Sequence, residues 1–395
     1  MYLGIKICFL LAAWSVNARP GSHSTGKAVY VLTNNANNAV IGLPIYKNGL
    51  LGEGQVTTTG GTGQNGLNST QDPAGPDSLF SQGAVAVAGQ YVFAVNPGSN
   101  TISMLKPDHA NPSKLTLVGQ PALIPGDFPN SVAASSKSRL VCVGTTGTRA
   151  GVSCTTYGHG GLGKMDELRL FELNQSTPPI GPPNTLSHVF FSADESALFV
   201  AVKGDGSTNN LGFFSVFPVQ YGCTSDTAAS LVREDVRSSL NGTGLLFGAT
   251  ISPDSGRVFA TDPGFGVAVL EVERHTHKAA LVSRVVVPGQ AAICWAAYSA
   301  ETDSVFVTDV AVNRLVEIDA NDGSILLTAN LPNDDPGLID LQVVGTHVYA
   351  LSPGNGTTEA AITVFDIGKE QQVQHVSLAK FGANRNAMGM AYIDL

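Results

Sequence analysis

Charge is scarce in this 395-residue chain. Only 13% of its residues are Asp, Glu, Lys or Arg, against about 25% in an average soluble domain. That is unlike a helical protein, whose exposed faces carry many Glu and Lys. Basic residues are the scarcer sign, 22 against 31 acidic ones for a net charge of −9, and they form no block. A net acidic chain without a basic patch is excluded as a nucleic-acid binder. Long apolar runs are missing too: no segment reaches the roughly 20 residues that span a bilayer, and Met388 to Leu395 carries no lipid-anchor signal. Helical periodicity is absent. What is present is 43% hydrophobic residues, with 44 glycines and 21 prolines spread between short apolar runs. That distribution argues against disorder and for a closed all-β unit, an architecture that runs long as one domain.

The first residues read as an export signal. Lys6 precedes the apolar run Ile7 to Trp14, and Val16-Asn17-Ala18 offers acceptable residues for cleavage after Ala18. Residues 1–18 are therefore expected to be a signal peptide and 19–27 a short linker, with a single domain over 28–395. Loss of Lys6 with the signal takes the net charge from −9 to −10. Four N-glycosylation sequons, at Asn68, Asn174, Asn241 and Asn355, agree with a secreted, extracellular or cell-wall glycoprotein. Cys8 leaves with the signal, so Cys142, Cys154, Cys223 and Cys294 remain, and four cysteines allow three pairings. Cys142–Cys154 is favoured because Gly144 to Gly147 can form a reversal between them, leaving Cys223–Cys294. Against this, Cys142 and Cys294 lie in apolar runs where unbridged thiols also pack well.

One unit recurs seven times. Its most regular element is a short apolar strand centred on Tyr30, Phe93, Val141, Phe199, Phe259, Phe306 and Tyr349, at spacings of 63, 48, 58, 60, 47 and 43 residues. Those spacings approach the period of four-stranded propeller blades, with insertions in the longer units. A tight turn precedes the strand, as in Ser192-Ala193-Asp194-Glu195-Ser196 and Ser252-Pro253-Asp254-Ser255-Gly256, where Asp bonds to backbone two residues on. The first unit has no inner strand before Ala28, and the chain ends on a surplus strand, Ala387 to Ile393. Pairing the two closes the ring and leaves no open edge. The expected fold is an all-β, seven-bladed β-propeller closed by its C-terminal strand. Six blades, with 130–185 as an elaborated loop, or a pair of β-sandwiches are the alternatives.

A propeller of this kind gathers polar residues at one mouth of its channel. The inner strands are expected to start near Gln82, Asn130, Ser187, Phe247, Ala291, Asp340 and Asn386, with Lys203, Asp262 and Asp309 in loops after second strands. Lys203, His188, Asp262, Asp309 and Asp340 are the candidate catalytic set, able to hold an anion and move a proton. Asp262 and Asp309 equally suit turn capping, and His188, among apolar neighbours, equally suits a core histidine. Gly158-His159-Gly160-Gly161-Leu162-Gly163-Lys164 imitates a phosphate loop, but Met165 replaces the metal-binding Ser or Thr and no helix follows. His275-Thr276-His277 is flanked by Arg274 and Lys278 with no third ligand, so it reads as a turn. Asp319 to Gly323 lacks the spacing and distal Glu of a calcium loop, and no G-x-S-x-G nucleophile elbow occurs. No metal or cofactor is called for.

Ala28 to Asn48, the glycine-rich stretch Thr58 to Asn68, and Leu186 to Val202 resemble secreted fungal 3-carboxymuconate cyclase-like proteins of the seven-bladed lactonase family. The resemblance covers nearly all of 28–395. It implies cycloisomerisation of a carboxylated muconate or hydrolysis of a sugar-acid lactone, with a small carboxylated molecule or lactone as partner; the chain itself is expected to be a monomer. It also implies an alternative, since secreted relatives include surface antigens and adhesins: a non-catalytic protein binding matrix, glycan or another protein. The family's histidine, arginine and glutamate are not matched. Phe128-Pro129-Asn130-Ser131 carries no imidazole, Ser187 stands where arginine is expected, and Lys203 falls near the expected glutamate.

Overall fold

A computed structural model describes residues 24–221 and 228–395. Seven antiparallel sheets follow one another along these residues, each built from the repeated unit. Their second strands are almost wholly buried: Tyr91–Asn96, Leu140–Thr145, Val258–Asp262 and Ser304–Asp309 expose no residue. A strand buried on both faces cannot alternate polar and apolar residues, which is why these segments read as continuous Val, Phe, Ala and Tyr runs. The seven inner strands line the axis: Val85–Ala88, Pro129–Ala134, Leu186–Phe191, Ala249–Ile251, Ile293–Ser299, Ile339–Val344 and Met388–Asp394. The expected strand starts fall within three residues of these.

The last inner strand closes the ring. Met388–Asp394 pairs with Ser24–Leu32, setting Val29 against Tyr392 and Val31 against Met390, so the first blade combines both ends of the described chain. Blade one's second strand begins at Ser24, inside the segment expected to be a linker. The turns follow the chemistry read from sequence. Asp194 Oδ1 accepts from the Ser196 amide and from the hydroxyls of Ser192 and Ser196, while Gly256 takes φ +68° to close the equivalent turn.

Cys142 and Cys154 are directly opposed on neighbouring strands of blade three and form a disulfide. The second expected bridge requires correction: Cys294 is a free thiol, buried in the core cluster that also holds Phe247 and Trp295. Its expected partner, Cys223, lies outside the described residues, as does the expected signal peptide. No helix among the described residues is long and apolar enough to cross a membrane.

Candidate functional site

The long excursion after blade one's outer strand, residues 59–84, decides which mouth of the channel is open. Its final stretch crosses the axis and is bonded to blades three, four and six. Asn130 Nδ2 donates to the Leu79 carbonyl and Ser81 Oγ to the Asn130 carbonyl. Trp295 Nε1 donates to the Ser81 carbonyl, Gln82 N to the Ser187 carbonyl, and the Gln82 side chain pairs both ways with the Ala296 backbone. Blade five must approach as closely: a Cβ on Gly248 would stand 2.0 Å from Gln82 Oε1, so only glycine fits there. Phe80, Ser81 and Gln82 are buried. The mouth at the inner-strand starts is therefore plugged.

Lys203 lies beneath this plug. It is 1% exposed, donates to the Phe80 carbonyl at 2.6 Å and sits 4.2 Å from the centroid of the Phe247 ring. Asp77 supplies its counter-charge. Burial pushes the Asp77 carboxyl up and the Lys203 ammonium down, while their mutual attraction opposes both shifts. Burial likewise raises the Cys294 thiol well above its ordinary value. Lys203 thus fastens the plug from inside.

Asp262 and Asp309 are engaged by backbone. Asp262 accepts from the amides of Gly244, Leu245 and Gly264, and Asp309 from those of Ala291, Ala292 and Ala311, with Arg314 4.0 Å away. Each fixes the entry to an inner strand, and neither lines the channel. Sequence could not separate this from a catalytic role, because Asp after a second strand suits both.

His188 and Asp340 are the members of the set that the structure brings together. Both line the central channel, a cavity of about 390 Å³ that runs from Gln82 and Gly83 at the plug past Val132, Val189 and Val343 to Phe191, Tyr298 and Tyr392. Gly83 stands between them. A Cβ placed on it would come 3.1 Å from His188 Nε2, and its amide donates to Asp340. The Ala249 amide donates to His188 Nδ1, which fixes the neutral tautomer with its proton on Nε2. Burial lowers the His188 pKa to about 3, so the ring is neutral at any physiological pH. Asp340 accepts from the Leu341 and Met390 amides as well as Gly83, yet burial outweighs all three and raises its pKa to about 7. The channel thus ends in a fixed N–H donor beside a carboxyl poised to exchange a proton near neutrality. No lysine or arginine lines it among the described residues.

The remaining sequence candidates are peripheral. Gly158 and Gly161 pair across a hairpin, and Tyr91 Oη bonds to His159. His275 is exposed in a turn held by Glu273. No group of three metal-ligating side chains occurs among the described residues. Asn174, Asn241 and Asn355 are exposed, and Asn68 is half-buried with its side-chain oxygen accepting from Thr70 and Asp72. The plug itself escaped the sequence reading, for its partners are as far as 214 residues away.

A closed seven-bladed propeller with a polar inner end to its channel defines the class of molecule. Its fold is shared with a periplasmic gluconolactonase of Pseudomonas aeruginosa, at 13% identity and a TM-score of 0.62 over 93% of this chain and 99% of that one. A putative 6-phosphogluconolactonase of Bacteroides fragilis is as similar, at 11% identity and a TM-score of 0.62 over 95% and 100%. A dihydro-heme d1 dehydrogenase also matches, at 11% identity and a TM-score of 0.54 over 94% of this chain and 77% of that one. Such likeness shows fold, and one fold carries several chemistries. No protein-family model and no curated protein matches the sequence.

Proposed function

We propose that the protein is a hydrolase of small neutral lactones, working at the plugged end of its channel. The observation that carries this reading is the pair flanking Gly83: His188 with its proton on Nε2, and Asp340 with its pKa raised to about 7. Asp340 takes a proton from water as the water oxygen bonds to the lactone carbonyl carbon. His188 Nε2–H donates to the oxygen that gains negative charge. Collapse breaks the ring C–O bond, and the protonated Asp340 returns its proton to the departing alkoxide, leaving a hydroxy acid. The lactonase-type neighbours support a ligand of this size.

A carboxylated muconate suits the channel less well. With Asp340 ionised and no cation on the lining, a second carboxylate would be repelled. The proposed compartment is outside the cell, supported by the Cys142–Cys154 disulfide and the exposed sequon asparagines.

Turnover of a panel of γ- and δ-lactones, followed by acid release, tests the chemistry. Asp340→Asn is expected to lower kcat by about 10²–10⁴-fold, the usual worth of a positioned acid/base group, and His188→Phe by a similar factor. Full turnover by folded Asp340→Asn protein would overturn the assignment.

A further inference from the structure

Blades two and three enclose a second cavity, of about 290 Å³, on the face where inner strands turn back. Three turns build it: Gly89 and Gln90 in blade two, the turn carrying Ser136 and Arg139 in blade three, and the hairpin at Gly158. Its volume falls near the lower end of the roughly 300–1,000 Å³ usual for small-molecule sites. The lining is one-sided in chemistry. Arg139, Gln90, Ser136 and His159 offer donors, and no carboxylate lines the cavity among the described residues. Arg139 is exposed and forms no ion pair among the described residues, although the chain carries an excess of acids. The acid near Tyr157, Glu195, is committed to the Ser135 hydroxyl and the Lys137 amide.

The floor is aromatic. Tyr91 and Tyr157 meet edge to face with centroids 5.8 Å apart, and both hydroxyls are engaged, Tyr157 with the Ser135 carbonyl and Tyr91 with His159 Nδ1 at 2.9 Å. Among the described residues no hydrogen bond is made to His159 Nε2. Gly158 adds a separate clue. A Cβ there would meet no atom within 4 Å, and its φ is not left-handed, so neither packing nor backbone requires glycine. Bare backbone at a cavity rim is what a closely approaching ligand needs.

The geometry points to a surface site for a sugar acid, a polyhydroxylated carboxylate, whose carboxylate is held by Arg139 and whose hydroxyls meet Gln90, Ser136 and His159. A guanidinium grips a carboxylate in two-pronged fashion, and the electron-rich face of a tyrosine ring suits the C–H face of a pyranose. This site is separate from the channel and does not depend on lactone chemistry there.

Calorimetric titration with glucuronate, glucose and acetate tests it. Glucuronate is expected to bind at least tenfold more tightly than either of the others, because the site needs both charge and hydroxyls. Arg139→Gln should bring glucuronate to within about twofold of glucose. Gly158→Ala, whose Cβ would meet no atom of the fold within 4 Å, should weaken glucuronate at least fivefold at an unchanged melting temperature. Acetate binding as tightly as glucuronate, or glucuronate affinity unmoved by Arg139→Gln, would overturn the proposal. Binding in the channel instead would give that second result.

Discussion

Replacing His188 with glutamine should change how stability depends on pH, by an amount the structure sets. In the folded protein the ring is neutral down to about pH 3 because it is buried, whereas an unfolded histidine titrates near about 6.5. A depressed folded pKa means that the unfolded chain binds the proton first. The stabilising contribution is therefore complete above about pH 6.5 and is lost as pH falls towards 3, at about 1.4 kcal/mol per pH unit. Between pH 7 and pH 5 the wild-type protein should lose about 2 kcal/mol through this residue alone. Glutamine can still accept the Ala249 amide and does not titrate, so His188→Gln should gain about 2 kcal/mol on the wild type over that interval. Urea unfolding at pH 7, 6 and 5 measures this, reported by Trp295, which is fully buried against the plug and bonded to Ser81. A stability difference between the two proteins that stays constant within about 0.5 kcal/mol from pH 7 to pH 5 would refute the reasoning. It would mean that His188 is already wet enough to charge normally, and that its Nε2–H is no fixed donor.

Asp340 should act with the opposite sign. Its folded pKa is raised to about 7, so its contribution is complete below about pH 4 and lost as pH rises through 7. Relative to wild type, Asp340→Asn should gain roughly 2–3 kcal/mol between pH 5 and pH 8 in the same unfolding assay; a gain in the acid direction would contradict the buried placement. Lys203→Met leaves Asp77 buried without its counter-charge and should cost about 3–5 kcal/mol. Adding Asp77→Asn should restore more than half of that loss, with the Cys294 thiol reactive towards disulfide reagents in the single variant but not in the double. A single variant that loses under about 1 kcal/mol would show that the pair does not hold the plug.

What was legible in the sequence was whatever repeats locally. Seven second strands could be found because burial on both faces makes them continuous apolar runs, and the latch because Ala387 to Ile393 was a strand with no blade to join. The Cys142–Cys154 pair was legible because the Gly and Thr residues between the two cysteines signal a reversal, although Gly144 and Thr145 belong to the strand itself and the chain reverses over 146–150. The plug was not legible, because 77–82 has no period and its bonds run to Ser187, Ala296 and Trp295 across the ring. That one segment explains most of the difference at the site. It turns Lys203 from a residue at an open mouth into a buried fastener, and it brings Gly83 between His188 and Asp340. Asp262 and Asp309 lay at the expected positions, but their partners are backbone amides that a sequence does not display.

The plug also assigns a direction to the chemistry. With the inner-strand starts sealed, a ligand reaches His188 and Asp340 only along the channel from the Phe191, Tyr298 and Tyr392 end. It meets the polar pair after passing valine walls, so in the proposed reaction water and substrate arrive at a site with little bulk solvent, where one hydrogen bond to a developing charge counts for more. The same burial produces both unusual titrations, keeping the imidazole neutral and holding the carboxyl near neutrality. Between pH 4 and 6.5 the two stability slopes oppose each other, His188 losing as the solution is acidified and Asp340 gaining. Differences from wild type that slope in opposite directions for His188→Gln and Asp340→Asn across that range are the signature expected if both groups share one dry end of the channel.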